Sequence, residues 1–218
     1  PMEVLSTHLM EVVKSNLSVL LTMSSMQRMI RELCNVSDEH RAQLNQRFFD
    51  GMVPDKVAPE LLLTVLRGML DERLSIRNLV LITDAVHEAR NASTPEAIYE
   101  LVRKRLRGQI TEQFLGQDGH LDILQLHPKW EAEIARAESE AGRTGNAPIP
   151  HIQKRLADAV QATLANTPAA TDAVLAVPDH RRRLVRMMLS ASGIAIPVMG
   201  LEEIDPSAQV RLCGTVNP

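Results

Sequence analysis

Up to about residue 111, the apolar residues of this 218-residue chain recur only at helical spacing; beyond it, short runs of strand length alternate with helices. That change of period limits the fold to an α+β arrangement. An all-helical part must come first, followed by a small α/β part with a mixed sheet of about four strands. Leu5, Leu9, Val12, Val13, Leu17, Leu20 and Leu21 give one helix over residues 3–21. Ser24 and Gln27 have capping-box spacing ahead of the stripe Met26, Met29, Ile30 and Leu33. A polar helix is expected over 37–48. Pro59 suits the first turn of the next, which carries Leu62, Val65, Leu66, Met69 and Leu70. Ser75 is expected to cap the following helix, with Ile76 anchoring its first turn, and Thr94-Pro95-Glu96 to open another.

After residue 111 the expected strands are 121–126, 173–177, 194–198 and 210–213, with helices from Pro128, Pro150 and Pro178 between them. Residues 141–150 read as a loop. That order needs a crossover helix packed on the sheet.

Composition excludes several classes. The net charge is -3 and both halves are close to balanced, which argues against a nucleic-acid binder. Aromatic residues make up 2%, too few for a base-stacking platform. Two distant cysteines, Cys34 and Cys213, rule out a disulfide framework and fit a reducing compartment. No apolar run approaches the ~20 residues of a membrane-spanning helix. Pro1-Met2-Glu3 does not read as a natural start, so a piece of a longer protein is expected.

Motifs that carry chemistry are missing. The seven histidines include no HExxH and no zinc-spaced partner, and there is no P-loop or Gly-x-Ser-x-Gly. No metal or cofactor is expected. Ser190 and Ser192 read as helix-end residues. The basic groups Arg103, Lys104, Arg105, Arg107 and Arg181, Arg182, Arg183 could bind an anion, but a solvated helix face is the plainer reading. Met23, Met26 and Met29 could line an adaptable groove, and core packing is again plainer. The segment Asp71 to Leu79 is different: a polar corner between two apolar helices. Arg77 is placed there in a helical first turn, where its charge opposes the dipole and calls for a partner, within the subunit or across an interface.

These residues carry a family resemblance. Val65 to Ala85, VLRGMLDERLSIRNLVLITDA, resembles the most characteristic segment of the FlhA/SctV export-gate family of flagellar and virulence type III secretion systems. Other matches follow in family order. Ser6-Thr7-His8-Leu9 with Glu11 resembles the helix closing the first cytoplasmic subdomain. Arg107-Gly108-Gln109-Ile110-Thr111 resembles the end of the third. Ile196-Pro197-Val198-Met199, Glu202-Glu203-Ile204 and Gly214-Thr215-Val216 resemble the family's C-terminal ending. Met199-Gly200 replace a common Leu-Ser, and Asn78 replaces a commoner Asp.

The resemblance implies a closing helix at 1–21, a ring-forming helical subdomain at 22–111 and a C-terminal α/β subdomain at 112–218. It implies a non-catalytic scaffold at the cytoplasmic side of the bacterial inner membrane. Its expected partners are eight further copies in a nonameric ring, export substrates and chaperones, and the ATPase complex, with no nucleic acid. Thr7 matches a threonine of the chaperone pocket. Arg73, Arg77 and Asn78 are the expected oligomer-interface residues. The flagellar branch is favoured by Gln109-Ile110-Thr111, with the injectisome branch as alternative. A reading of another class stays open: a small α/β enzyme with Asp179 and His180 at the carboxyl end of a strand.

Overall fold

The computed structural model describes residues 13, 16–144, 149–167 and 172–218. The chain divides into two compact units, the first ending at Leu106 and the second beginning at Arg107. Among the described residues no helix is long and apolar enough to cross a membrane.

The first unit holds six described helices: α1 (Leu17–Leu20), α2 (Met23–Cys34), α3 (Glu39–Met52), α4 (Pro59–Asp71), α5 (Leu79–Ala89) and α6 (Pro95–Arg105). Most starts are written in the sequence. The Thr22 hydroxyl accepts from the Ser25 N–H, Asp38 from Arg41, Asn78 from Leu81 and Thr94 from Ala97. Each satisfies an N–H that the first helical turn leaves without a backbone partner. Thr22 therefore takes the capping role expected of Ser24. Helix α4 is the central element. Its buried Leu62, Leu63, Val65, Leu66 and Met69 give it an apolar face wide enough to meet α1, α2, α5 and α6. Arg67 adds a hydrogen bond from its Nε to the Leu21 carbonyl at 3.0 Å, tying α1 to α4.

The second unit runs α7 (Arg107–Gln113), β1 (His120–Leu126), α8 (Lys129–Thr144), α9 (Ile149–Asn166), β2 (Val174–Val177), α10 (Asp179–Ala191), β3 (Val198–Gly200), a 3₁₀ turn (Leu201–Glu203) and β4 (Gln209–Val216). The four strands lie in the order β3-β2-β1-β4. All three pairings are parallel, so the expected mixed sheet is corrected. Each of the first three strands is followed by a crossover that returns the chain to the same end of the sheet, so no two of the four strands form a hairpin. The steps β1 to β2 to β3 run in one direction, so right-handed crossovers carry their helices over one face. There Leu124, Leu126, Leu175, Val177 and Val198 pack against Trp130, Ile134, Leu156, Val160, Val185 and Leu189. The return from β3 to β4 runs the opposite way, and the same rule sends it across the other face.

That return docks on α7. The buried Thr111 hydroxyl donates to the Glu203 carbonyl at 3.3 Å and accepts the Asp205 N–H at 2.9 Å. These bonds explain why α7, expected to end the helical part at residue 111, sits in the second unit. β3 is shorter than expected because Pro197 has no N–H for the ladder; its carbonyl still accepts from Leu175. Helix α8 runs to Thr144 and α9 starts at Ile149, which corrects both ends of the expected 141–150 loop. Residues 145–148 lie outside the described residues.

β4 is an edge strand, and Arg211 ties it to β1. Its guanidinium donates to both carboxylate oxygens of Asp122 at 2.6 and 2.8 Å, and to Asp118 at 2.8 Å. The His120 backbone N–H and then Arg211 hold Asp118 below the usual carboxylate range, and Arg211 does the same for Asp122. Carboxylates depressed in the folded state favour folding while ionised. Their contribution is complete above the unfolded values near 4 and fades as pH falls through the lower folded values. Trp130, the single tryptophan, is buried in this unit with its indole N–H donating to the Val216 carbonyl. Urea unfolding followed by Trp130 fluorescence should give a midpoint that drops between pH 5 and pH 3. The drop should be smaller in Arg211→Ala.

Candidate functional site

Helix α4 ends in a Schellman motif. The Arg73 N–H donates to the Leu70 carbonyl at 2.9 Å, and the Leu74 N–H reaches back to Met69 at 2.8 Å. Arg73 has φ +57°, the left-handed position that usually holds glycine. Leu74, 3% exposed, is buried together with Met69, as the motif's apolar contact requires. Five residues later Leu79 is buried and α5 begins. Arg73, just before the first of these apolar anchors, is exposed, and between the two Ser75 and Ile76 are half-buried while Arg77 and Asn78 are exposed.

Their roles differ. Asn78, not Ser75, is the N-cap of α5: its side-chain oxygen accepts the Leu81 N–H at 3.2 Å. The Ser75 hydroxyl accepts the Arg77 N–H at 3.4 Å, outside the helix. Ile76 and Arg77 thus lie before the helix, not in its first turn, and the expected clash between Arg77 and the dipole is relieved. Asp and Asn cap equally well, so the Asn at this position keeps the geometry. Among the described residues the Arg77 guanidinium has no hydrogen bond or ion pair. Thr7 lies outside the described residues.

The basic runs do not form anion sites. Arg103, Lys104 and Arg105 occupy the last turn of α6, where positive charge suits the helix dipole. Arg103 is buried and bonds Glu72 at 3.0 Å, while Arg105 meets Glu88 at the surface. Arg181 is held by Glu131 and Glu138, and buried Arg182 by Glu203. The sequence reading missed the Glu72–Arg103 pair. Its one signal was phase: on α6, Arg103 follows buried Val102 and falls one turn after Tyr99. Met26 is buried and Met23 and Met29 are half-buried, as core packing requires.

Catalytic groupings do not assemble. The Asp179 carboxylate accepts the Glu202 N–H at 3.3 Å and is the first residue of α10 rather than its cap. Exposed His180 meets Glu131 at 3.2 Å. Burial raises the Glu131 pKa, but bonds from His180 and Arg181 outweigh it and leave the carboxyl below its ordinary value. The Ser192 hydroxyl donates to the Met188 carbonyl and Ser190 accepts from Arg186. A hollow of about 310 Å³ between α2 and α3 includes Cys34, whose thiol is pushed up by burial and then by Asp50, which keeps it protonated. Among the described residues no cluster could hold a metal ion.

The FHIPEP family matches residues 1–209. The chain belongs to the FHIPEP family. It is similar to the flagellar biosynthesis protein FlhA of Caulobacter vibrioides, 30% identical over 99% of this chain and 30% of that protein. It is 22% identical to FlhA of Bacillus subtilis over 100% of this chain and 31% of that protein. The chain therefore spans about a third of the length of the curated FHIPEP relatives it matches. Solved structures share the fold. The Chlamydia pneumoniae CdsV protein has a TM-score of 0.70 at 19% identity, covering 99% of this chain and 60% of that one. The C-terminal domain of InvA has 0.73 at 20%, covering 94% and 60%. Nonameric EPEC SctV-C has 0.67 at 18%, covering 95% and 61%.

Two substitutions test the corner as a piece of structure. Asn78→Ala should lower stability by about 1 kcal/mol, and Asn78→Asp should restore it. Arg73→Gly should raise stability by about 0.5–1 kcal/mol. Relief of a left-handed residue, worth roughly 1–2 kcal/mol, exceeds the added unfolded-chain entropy. Thermal melts followed by circular dichroism at 222 nm would read both.

Proposed function

We propose that this chain is a cytoplasmic, ring-forming part of a flagellar type III protein export gate. It acts as a non-catalytic scaffold beneath the export pore that receives export substrates and their chaperones. The observation that carries this reading is the corner at Arg73–Asn78, a turn held by backbone bonds in which exposed Arg77 has no side-chain partner among the described residues. Arg77 is suited to a carboxylate on a neighbouring copy, since a charge-assisted fork needs a fixed partner geometry. Membership of the FHIPEP family and the FlhA relatives support the export-gate reading. Nonameric SctV-C, alike in fold, supports a ring. The Chlamydia CdsV and CdsO complex, whose CdsV chain shares this fold, supports a contact with other export-apparatus components. The scaffold belongs at the cytoplasmic side of the bacterial inner membrane, and Thr7 is kept as a chaperone-contacting residue.

The test is Arg77→Glu. The new carboxylate precedes the N-cap of α5, where negative charge favours the helix dipole, so the fold should not suffer. The melting temperature should stay within a few degrees of wild type. The self-association constant, from sedimentation velocity across a wide concentration range, should fall about 10- to 100-fold, or roughly 1.4–2.8 kcal/mol. Association equal to wild type would remove Arg77 from the interface.

A further inference from the structure

We propose that Glu72, Tyr99 and Arg103 form a buried brace that positions the corner for its neighbour; this rests on the reading of that corner as the self-association site. The brace joins α6 to the last turn of α4. The Arg103 guanidinium donates to Glu72, the C-cap residue of α4, at 3.0 Å. It also lies 5.8 Å from the Tyr99 ring centre and reaches the Tyr99 hydroxyl at 3.5 Å. That hydroxyl donates to the Gly68 carbonyl at 3.0 Å, beside the Glu72 N–H, which the same carbonyl accepts at 3.2 Å, so Tyr99 and Glu72 meet on one acceptor in the last turn of α4. Gly68 is needed for this approach, because a Cβ there would sit 3.1 Å from the edge of the Tyr99 ring.

Stability alone gives little reason for such a device. Arg103 is 1% exposed and Glu72 14%, so both charges lose most of their hydration. A desolvated ion pair often does no better than apolar side chains of the same volume. What it supplies is direction. The bond from the Arg103 guanidinium holds Glu72, Glu72 is followed directly by the left-handed Arg73, and Arg77 lies four residues beyond that. An apolar cluster would let that last turn settle in several ways. The directional ion pair, with Tyr99 bonded to the same turn, favours one, in which Arg73 and Arg77 are exposed.

The experiment compares the whole chain with the double variant Glu72→Leu/Arg103→Met, which replaces the pair by apolar side chains of similar volume. Three readouts are taken: the melting temperature, the rate of tryptic cleavage after Arg73 and Arg77 in the folded protein, and the self-association constant. Positioning predicts melting within a few degrees of wild type, cleavage at those two bonds at least tenfold faster, and association about tenfold weaker. Wild-type protection of both bonds with wild-type association would overturn the brace. Lost protection with unchanged association would overturn the corner as the contact, and the positioning role with it. Tyr99→Phe, which loses only a hydroxyl, takes the same three measurements if the double variant does not fold. Arg77→Glu, run beside them, separates the two failures, since it breaks the contact without touching the brace.

Discussion

The first unit depends on the seal that Leu74 makes under the end of α4. Burying that side chain beside Met69 forces the backbone to reverse within two residues, and the reversal needs a left-handed residue at 73. With Arg rather than Gly there, the turn is held by what surrounds it: two backbone bonds back into α4, the buried leucine, and the Glu72–Arg103 pair. The direction of α5 follows, since Leu79 must return to the core five residues later. The exposed Arg77 and Asn78 are what remains when both ends of a short segment are fixed by burial. The half-buried Ser75 and Ile76 and the Asn78 cap complete a geometry set mainly by the buried residues on either side.

The second unit meets a comparable constraint in another form. A parallel sheet with the order β3-β2-β1-β4 must bring the chain from one edge to the other in the eight residues between Gly200 and Gln209. So short a return cannot build an apolar layer of its own, and it is pinned by polar contacts instead. Glu203, nearly fully buried, accepts from the Gly200 N–H and pairs with Arg182. The Asp179 carboxylate accepts the Glu202 N–H, and Thr111 accepts Asp205. Buried polar groups are tolerable when each has its partner, and the polar side chains of this return have theirs. The residues that an enzyme reading would have chosen, Asp179 above all, are occupied in holding the sheet's return. At the far edge, the extra residue of β4 opposite Ile123 and Leu124 and the Arg211 ion pairs are devices that discourage edge-to-edge pairing.

Much of this was legible in the residues. The helical period of the first part, the cap at Thr94, the first-turn Pro59 and the strands expected at 121–126 and 173–177 all follow from local rules. What was not legible depended on partners distant in sequence. Ser75 and Asn78 are both good caps, and only the burial of Leu74 and Leu79 decides that the helix opens at the second. Arg103 sits in a run of four basic residues that looks like solvated surface, and its partner Glu72 lies 31 residues earlier. A hydrophobicity pattern treats all four alike. Strand direction was illegible for a similar reason: 194–198 has strand composition, but whether the last two strands run with or against the others depends on which edge each occupies.

The contrast between the two kinds of arginine bears on what such a chain is for. Arg103 and Arg182 are buried, and each is paired inside the subunit, Arg103 with Glu72 and Arg182 with Glu203. Arg77 is exposed and pairs with nothing among the described residues. An unpaired guanidinium in water costs the fold almost nothing, so stability neither requires nor opposes it. Such a group can be placed wherever a neighbour needs it, provided the backbone beneath is stiff. A stiff turn carrying an uncommitted charge is therefore a cheap way for a scaffold to recognise another copy of itself. The lowered carboxylates Asp118, Asp122 and Glu131 belong to the contacts that tie strands and helices together: the His120 backbone N–H and Arg211 at Asp118, Arg211 at Asp122, and His180 with Arg181 at Glu131.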